Sequence, residues 1–435
     1  MYDQLRIAVA LTVTLVGYAS LILHPPRWGA IGVAVITLSL ALLSVVVFGY
    51  ASQFNILEFS LALLLLGAIL LLVPLVRNHL AIQTLSLLLS LFALSLFIAA
   101  FFAWLPFCVF ESRCRSLQSS YVGFENKRLV NDVQNLLVPV LLGVWLVAKR
   151  ALLRSTALAA FGGMLWLGFL LDSRGLFIAL IVVGAAACIA ERPSLRQVIP
   201  PVLVSLFAFL VWWSVQAIAA LSSQTAMASI RTGDSGRLEL WAYSIERIMA
   251  APIAGYGPGA FAAEGNFVSS PHNILLSVGY DYGVLIALLV VAGMAALFWS
   301  ILTVRRPPLA ASVAWGLLVL MIASLVSSPH ITPLGQLFYV IAVAVTLATD
   351  NRLVFWWQSR FDGAVTKNQL ARYFGVVLWG AVCVLVAMSM FATFPQTYDE
   401  PKRFKPRIWL DGEYAPALIE LGRLESQLSL RKRIE

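Results

Sequence analysis

Residues 155–190 read STALAAFGGMLWLGFLLDSRGLFIALIVVGAAACIA, two apolar runs separated by one short polar turn. Each run approaches the roughly 17–25 helical residues that cross the hydrocarbon core of a bilayer. Because the turn Asp172-Ser173-Arg174-Gly175 is so short, the runs at 155–171 and 175–190 are predicted to form a helical hairpin. An arginine at such a turn either snorkels to the lipid headgroups or binds an anionic ligand, and both interpretations fit the sequence.

The apolar character of this hairpin extends over most of the chain. Of the 435 residues, 60% are hydrophobic and 12% are charged, whereas soluble domains are typically about 25% charged. The composition therefore predicts an all-α polytopic membrane protein surrounded by membrane lipids, since the strands of a membrane barrel would alternate polar and apolar residues. The net charge of +9 is assigned to basic loops that orient membrane helices, and no nucleic-acid partner is expected.

The apolar runs predict about twelve transmembrane helices. They lie at 5–23, 28–48, 56–76, 80–105, 129–148, 155–171, 175–190, 197–219, 273–301, 309–327, 333–349 and 372–392. The chain then divides into an N-terminal bundle of about eight helices at 1–219, a loop with an amphipathic helix at 220–272, about four C-terminal helices at 273–392 and a basic tail at 393–435. The first run follows only Arg6 and is interpreted as a membrane helix instead of a cleaved signal peptide.

Basic residues concentrate in short loops, which predicts that those loops are cytoplasmic. The loops contain Lys149, Arg150 and Arg154; Arg192 and Arg196; Arg305 and Arg306; and Arg352, Arg360, Lys367 and Arg372. The connections on the opposite, periplasmic side are then 106–128, 172–174, 220–272 and 328–332. This count also puts both termini outside, although an error of one helix near each end would reverse them. Cys108 and Cys114 share a periplasmic loop, where an oxidising compartment would permit a small disulfide.

The longest polar interruption, residues 230–283, reads IRTGDSGRLELWAYSIERIMAAPIAGYGPGAFAAEGNFVSSPHNILLSVGYDYG. Asp234 or Ser235 is predicted to cap a helix over 236–250. This helix is expected to lie along the membrane surface on an apolar side formed by Leu238, Trp241, Ile245 and Ile248. Gly236 precedes Arg237, and a glycine turn, a helix N-terminus and a guanidinium together suit a phosphate group; the alternative is an ordinary solvated charge. The run Gly255–Gly259 is interpreted as a sharp turn after the helix.

One histidine in this segment is a candidate general base. His272 follows Pro271 and is predicted to lie in the first turn of the next helix, where the helix dipole favours a neutral ring that accepts a proton. A structural role is the alternative. Asn273 is suited either to orient the ring or to bind a sugar hydroxyl. Asp281, nine residues along the helix, would face away unless Gly279 kinks it, and His330 is a second candidate on the same side of the membrane.

Together, the runs SGRLELWAYSIERIMAAPIAGYGPGAF and PHNILLSVGYDYG and the SRG hairpin resemble the O-antigen ligase and polymerase superfamily of bacterial envelope glycosyltransferases. The resemblance implies a GT-C-like inner-membrane enzyme that transfers O-antigen from undecaprenyl pyrophosphate to lipid A-core on the periplasmic face, with no cofactor and no metal. It implies that Arg174 and Arg237 bind the donor pyrophosphate and that His272 activates the acceptor hydroxyl. The predicted supporting residues are Ser173, Asp234, Gly236, Trp241, Asn273 and His330. The family also implies cytoplasmic termini, which the helix count does not give.

Three alternatives stay open at the level of sequence. An O-antigen polymerase or a protein O-oligosaccharyltransferase would use the same donor site with another acceptor. Twelve helices also fit a transporter or flippase. Transporters, however, place ionisable groups near the bilayer midplane in broken helices, whereas the candidate residues here are predicted at one membrane surface.

Overall fold

The computed structural model describes residues 79–111, 127–223, 236–263 and 270–350, together with isolated residues between 65 and 77 and Arg352. The predicted membrane helices at 5–23, 28–48 and 372–392 lie outside the described residues, as does the basic tail. The predicted helix at 56–76 lies almost entirely outside them.

Every regular element in the described ranges is an α-helix. They are α1 (His79–Glu111), α2 (Lys127–Val147), α3 (Ala151–Leu170), α4 (Arg174–Glu191), α5 (Leu195–Ser223), α6 (Arg237–Ala250), α7 (Ala260–Ala263), α8 (Ile274–Thr303), α9 (Pro308–Ala323) and α10 (Pro333–Ala348). Six of these helices, α1 to α5 and α8, are long and apolar enough to cross a membrane, and α9 and α10 are shorter apolar helices. The predicted all-α class is confirmed, and the total of twelve spans stays a prediction.

Most predicted helix ends agree with the structure, with one difference that affects a cysteine. Helix α1 continues to Glu111, beyond the predicted end at residue 105, because the apolar sequence runs on through Leu105 to Phe110. Cys108 therefore lies in a helix and not in a loop. Cys114 lies outside the described residues, so the disulfide stays a prediction.

Helices α2 and α9 form the centre of the bundle. Leu136, Leu137 and Leu141 of α2 are fully buried. Gly316 of α9 faces α2 so closely that an added Cβ atom would lie 2.6 Å from Leu136 Cδ1. Small residues permit such close approach between membrane helices, where packing takes over from the hydrophobic effect as the driving force. The tightly packed pair holds the start of α2 and the end of α9 in fixed positions.

The two ends of the bundle differ in chemistry. At one end, Arg306 in the α8–α9 connection is buried, donates to the carbonyl oxygen of Ser300 at 2.9 Å and lies 4.0 Å from Asp350. Burial lowers the pKa of the Arg306 guanidinium, and the Asp350 carboxylate opposes this effect. The other end carries the α3–α4 turn and the α9–α10 connection. The predicted site residues in the described ranges all belong to that second end.

Candidate active site

The α3–α4 turn is a helical hairpin, as the sequence predicted. Helix α3 ends at Leu170 and α4 begins at Arg174. Ser173 is buried, and its hydroxyl donates to the Oδ1 atom of Asn131 near the start of α2. Arg174 is the first residue of α4 and its side chain is half-buried. The hairpin therefore fixes Arg174 at the end of the bundle, with Ser173 as the tie to α2.

Helix α6 begins at Arg237, one residue later than predicted. Gly236, with a φ of 75°, occupies the cap position that was predicted for Asp234 or Ser235, so that prediction is wrong. The left-handed backbone of a glycine allows the chain to enter the helix directly at the next residue. Asp234 lies outside the described residues. Arg237 is half-buried in the first turn of α6.

Helix α6 packs beside the first part of α8, and the two helices run parallel. Near the start of α6, the indole N–H of Trp241 donates to the carbonyl oxygen of Pro271 at 2.9 Å. About two helical turns later, Ile248 belongs to the same buried cluster as Tyr280 of α8. Trp241 lies one turn after Arg237, and Pro271 directly precedes His272. Parallel packing therefore brings the start of α6, with Arg237, beside the segment that carries His272.

Helix α6 divides its apolar residues between a side that packs against protein and an exposed side. Its buried or partly buried residues include Leu240, Tyr243, Ser244, Arg247 and Ile248. Leu238 and Ile245, which were predicted to share one apolar side with Trp241 and Ile248, are 63% and 52% exposed. The helix presents protein-packed residues on one side and apolar, exposed residues on the other. The helix is therefore docked along α8, and its place at the membrane surface stays a prediction.

The end of α6 is fastened to a kink in α8. Gly283 has a φ of 83° and a ψ of 171°, outside the helical region. At this break, backbone groups of α8 form hydrogen bonds with the residues that follow α6. The bonds are Tyr256 N–H to Tyr280 O at 2.9 Å, Gly257 N–H to Asp281 O at 2.9 Å and Val284 N–H to Pro252 O at 2.7 Å. The backbone groups around the kink are thus bonded to residues between Pro252 and Gly257.

Asp281 belongs to this docking contact. Its side chain is buried, and the carboxylate Oδ2 accepts from the backbone N–H of Gly259 at 3.3 Å. The kink lies at Gly283 and not at Gly279, where an Asp281–His272 pair would have required it. Asp281 therefore holds the glycine-rich run against α8.

The kink also separates two environments along α8. Before Gly283, the described residues of α8 are buried or half-buried. After it, Leu285, Leu288 and Leu289 are exposed. The remaining helix, 284–303, has about the length that spans the hydrocarbon core. The first part of α8 therefore serves protein packing, and the second part presents an apolar surface suited to lipid.

His272 lies before α8 and not in its first turn, so the predicted position is wrong. The cap residue is Asn273, whose Oδ1 accepts from the N–H groups of Leu275 at 2.9 Å and Leu276 at 3.2 Å. An asparagine side chain is a strong helix cap, which moves the first helical residue to Ile274 and leaves His272 outside the helix. His272 has a φ of 55°, a left-handed conformation that is uncommon outside glycine.

Two serines hold His272. Its backbone N–H donates to the Oγ atom of Ser270 at 3.2 Å, and its ring Nδ1 is hydrogen-bonded to the Oγ atom of Ser328. The two serine oxygens lie 3.1 Å apart. Ser270 and Ser328 are both buried, whereas the histidine is half-buried. The ring is therefore anchored through Nδ1.

The α9–α10 loop, residues 324–332, joins the candidate segments. On one side it binds the start of α8, since Asn273 Nδ2 donates to Leu325 O at 3.0 Å and Ile274 N–H donates to Ser324 O at 2.8 Å. On the other side it touches the hairpin of Arg174. A Cβ atom added to Gly175 would lie 3.4 Å from Val326 Cγ2. Arg174 and His272 thus flank the same short loop.

The second candidate histidine lies in this loop but makes different contacts. His330 Nε2 lies 3.3 Å from Ser277 Oγ in the first turns of α8, and its carbonyl oxygen accepts from Gln336 Nε2 at 3.2 Å. These contacts tie the loop to α8 and α10. His330 and His272 are therefore held by the same loop through different partners.

Helix α2 supplies polar residues that the sequence interpretation missed. Asn131 accepts from Ser173, and Asp132 Oδ2 accepts from Thr332 Oγ1 of the α9–α10 loop at 3.1 Å. Gln134 and Asn135, on the next turn, are also buried. The available signal was the cluster of amide and carboxylate side chains in an otherwise apolar span, since such groups inside a membrane protein are costly and usually functional. They connect the hairpin of Arg174 to the loop that holds His272.

Residues 159–291 match a family model described as O-antigen ligase. Over this segment the chain is similar to the O-antigen ligase family. This match confirms the resemblance to the O-antigen ligase and polymerase superfamily. The matched segment runs from α3 to beyond the kink in α8 and contains Arg174, Arg237 and His272. No curated protein matches the chain.

The matched segment does not include the α9–α10 loop, which begins at residue 324, 33 residues after the end of the match at residue 291. Ser328 and His330 therefore come from outside it. Within the described ranges, no three His, Cys, Asp or Glu side chains are grouped as metal ligands would be. Among the described residues at this end, the side chains suited to ligand chemistry include the guanidinium groups of Arg174 and Arg237 and the imidazole of His272.

Proposed function

We propose that this protein is an O-antigen ligase. It transfers O-antigen polysaccharide from undecaprenyl pyrophosphate to lipid A-core on the periplasmic face of the inner membrane. The family match supports a membrane enzyme that acts on lipid-linked glycans. The finer assignment of donor, acceptor and reaction rests on the arrangement of the site residues.

The observation that carries the proposal is the convergence of three separate segments at one end of the bundle. Arg174 begins α4 beside the α9–α10 loop, His272 is bonded to that loop, and Arg237 begins α6 beside His272 through the Trp241–Pro271 bond. These residues are 98 positions apart in the chain, from 174 to 272. Two guanidinium groups and an imidazole at the same end of the bundle suit an anionic group and a hydroxyl nucleophile.

In the proposed reaction, the two arginines bind the donor pyrophosphate. A guanidinium presents paired N–H donors that match phosphate oxygens. As the anomeric C–O bond breaks, negative charge grows on the departing pyrophosphate, which leaves attached to undecaprenol. Cations placed where this charge develops lower the barrier. Because the pyrophosphate is already a good leaving group, the reaction needs neither a nucleotide nor a cofactor.

His272 acts as the general base. Its Nε2 atom accepts the proton of the acceptor hydroxyl while that oxygen attacks the anomeric carbon. A single displacement inverts the configuration at this carbon. General-base help of this kind is typically worth about 10²–10⁴ in rate, so the reaction depends strongly on the ring.

The orientation of the site follows from the positive-inside rule. Arg305, Arg306 and the basic connections at 148–150 and 192–194 lie at the opposite end of the bundle from the α9–α10 loop, which is assigned to the periplasmic side. There the undecaprenyl chain stays in the bilayer while its pyrophosphate reaches the arginines. The exposed apolar surface of α8 after Gly283 provides the adjoining lipid contact.

Lipopolysaccharide gels of a deletion strain test the proposal. Loss of a ligase leaves lipid A-core without O-antigen, whereas loss of a polymerase leaves core with a single repeat unit. A normal ladder in a strain without a paralogue would refute both and direct attention to protein acceptors or to transport. As a biochemical counterpart, purified protein is expected to join lipid-linked O-antigen to lipid A-core without ATP and in the presence of a chelator.

A further inference from the structure

The first turns of α2 carry two adjacent polar side chains that bond to two different segments of the candidate site. Asn131 Oδ1 accepts from the hydroxyl of Ser173 in the α3–α4 hairpin. Asp132 Oδ2 accepts from Thr332 Oγ1, at the end of the α9–α10 loop, at 3.1 Å. Ser173, Asp132 and Thr332 are buried. The start of one helix is therefore bonded both to the hairpin and to the loop.

We propose that Asn131 and Asp132 are positioning residues that set the distance between Arg174 and His272. Asn131 acts on the arginine through the hairpin, and Asp132 acts on the histidine through the loop to which that histidine is hydrogen-bonded. The inference rests on the proposed function, in which the arginine binds the donor pyrophosphate and the histidine is the general base. Such positioning matters because small displacements of reacting groups lower the rate strongly.

Helix geometry explains how neighbours in the sequence reach different segments. Successive residues of an α-helix point in directions about 100° apart, since one turn takes 3.6 residues. Asn131 is therefore directed toward the start of α4, while Asp132 is directed toward the start of α10, which follows Thr332. Because the two residues share one stretch of helical backbone, the distance between their partners is set by a single rigid turn.

Tight packing against α9 fixes the position of α2 itself. A Cβ atom added to Gly316 of α9 would lie 2.6 Å from Leu136 Cδ1, and one added to Gly143 of α2 would clash with Ser312. Such close approach leaves little room for α2 to shift. The turn at 171–173 and the loop at 324–332 are connections between helices, and their side-chain bonds to α2 tie them to this fixed support.

The two bonds each use a separate proton and do not compete. A serine or threonine hydroxyl has one proton to donate. The Thr332 hydroxyl lies 3.1 Å from Asp132 Oδ2 and 3.4 Å from Pro329 O. The shorter contact ends on a carboxylate, and a charged acceptor makes the stronger hydrogen bond. Ser173 donates its own proton to Asn131.

The two bonds are expected to affect different kinetic quantities. Removing the first bond with Ser173→Ala or Asn131→Ala should weaken donor binding about 3- to 10-fold, the change that corresponds to one hydrogen bond, with little change in kcat. Removing the second with Thr332→Val should lower kcat by a similar factor and leave donor binding unchanged, because the base is displaced and the arginine is not. Asp132→Ala should lower kcat at least as much. Binding is measured with undecaprenyl pyrophosphate.

Conservative variants distinguish positioning from a loss of folding. Ser173→Thr and Thr332→Ser keep the hydroxyls and should restore the wild-type values. The double variant Ser173→Ala/Asn131→Ala should bind the donor no worse than either single variant, because both changes remove the same bond; additive losses would contradict the proposed bond. Thr346→Val is the matched control, since this buried threonine of α10 donates within its own helix to Ala342 O at 2.7 Å. It should change neither donor binding nor kcat.

A measurement without substrate tests the positions directly. Spin labels at Ile178→Cys, an exposed site on α4, and Ser327→Cys in the loop report the distance between hairpin and loop by electron paramagnetic resonance, once the four native cysteines are replaced. The distribution should be narrow in the wild type and in Thr346→Val, and broader or shifted in Asn131→Ala and Thr332→Val. Unchanged distributions in those two variants would overturn the inference even if ligase activity is established. Failure of the wild type to bind undecaprenyl pyrophosphate would instead refute the proposed donor site, while the spectra still decide whether α2 fixes the two segments.

Discussion

The indole N–H of Trp241 donates to the carbonyl oxygen of Pro271 across 2.9 Å, and this bond joins the helix of Arg237 to the segment of His272. Trp241 lies one turn after Arg237, and Pro271 is the residue before His272. The two ends of one hydrogen bond are thus each covalently close to a different functional group. If Arg237 binds the donor and His272 is the base, as proposed, this bond sets the spacing between them.

Replacing Trp241 by Phe is expected to lower kcat/KM by about 3- to 10-fold. The ring and its packing are retained, while a hydrogen bond typically worth about 0.5–1.5 kcal/mol is lost. Transfer kinetics of purified protein measure the effect. Trp299→Phe is the control, because that side chain is exposed on the lipid-facing part of α8. Equal kinetics of Trp241→Phe and the wild type would mean that this bond does not set the spacing.

Gly283→Ala is expected to destabilise the protein strongly. A Cβ atom at this position would lie 2.4 Å from the carbonyl oxygen of Ile253, on a backbone with a φ of 83°. Holding a non-glycine residue in such a conformation costs roughly 1–3 kcal/mol before the clash is counted. Thermal unfolding in detergent, followed by size-exclusion chromatography, should give a midpoint several degrees lower.

Gly293→Ala provides the matched control on the same helix. A Cβ atom there meets no heavy atom within 4 Å, and alanine is the better helix former by roughly 0.5–1 kcal/mol. The midpoint should therefore be unchanged or higher. If both variants melt like the wild type, the docking of the glycine-rich run at the kink contributes little to stability.

The helical hairpin around Arg174 could be predicted from the sequence. Each apolar run has about the length of one membrane helix, so the short polar stretch between them had to form the turn. The face of α6 that packs against α8 could not be predicted from the sequence. Sequence periodicity places the apolar residues Leu238, Ile245 and Ile248 on one side of the helix. In a membrane protein both lipid and protein accept apolar side chains, so the sequence does not show which of them covers that side. The structure buries Ile248 and exposes the other two, a difference that depends on where α8 lies.

The position of His272 and the kink in α8 depend on contacts between distant residues. Ser328 is 56 residues from His272, and the kink at Gly283 is stabilised by Pro252 through the N–H of Val284. Glycine in an apolar run indicates where a helix can break, but the bonds that make the break favourable come from another segment. Asn131 and Asp132 carried a usable signal, since polar side chains in a membrane span are rarely incidental.

The two histidines at this end of the bundle are expected to respond differently to removal. His272→Ala should lower kcat by about 10²–10⁴, the usual value of a general base, with little change in donor affinity. His330→Ala should cost much less, because its ring bonds to Ser277 of α8 and supports the loop. Single-turnover transfer assays at saturating donor separate the two effects. The reverse ranking would assign proton removal to His330.

The proposed role of the two arginines leads to a prediction about donor binding. If Arg174 and Arg237 bind one pyrophosphate, each change to alanine should lower kcat/KM by about 10²–10³, the range seen when one stabilising donor is removed. The double variant should lose less than the product of the two single losses, because groups that act on one ligand are not additive. Changing either arginine to lysine should recover only part of the rate, since lysine keeps the charge but not the paired donors. Arg305→Ala, an exposed residue at the opposite end of the bundle, controls for loss of charge. Strictly multiplicative losses in the double variant would place the two arginines on different ligands and require a donor site built around only one of them.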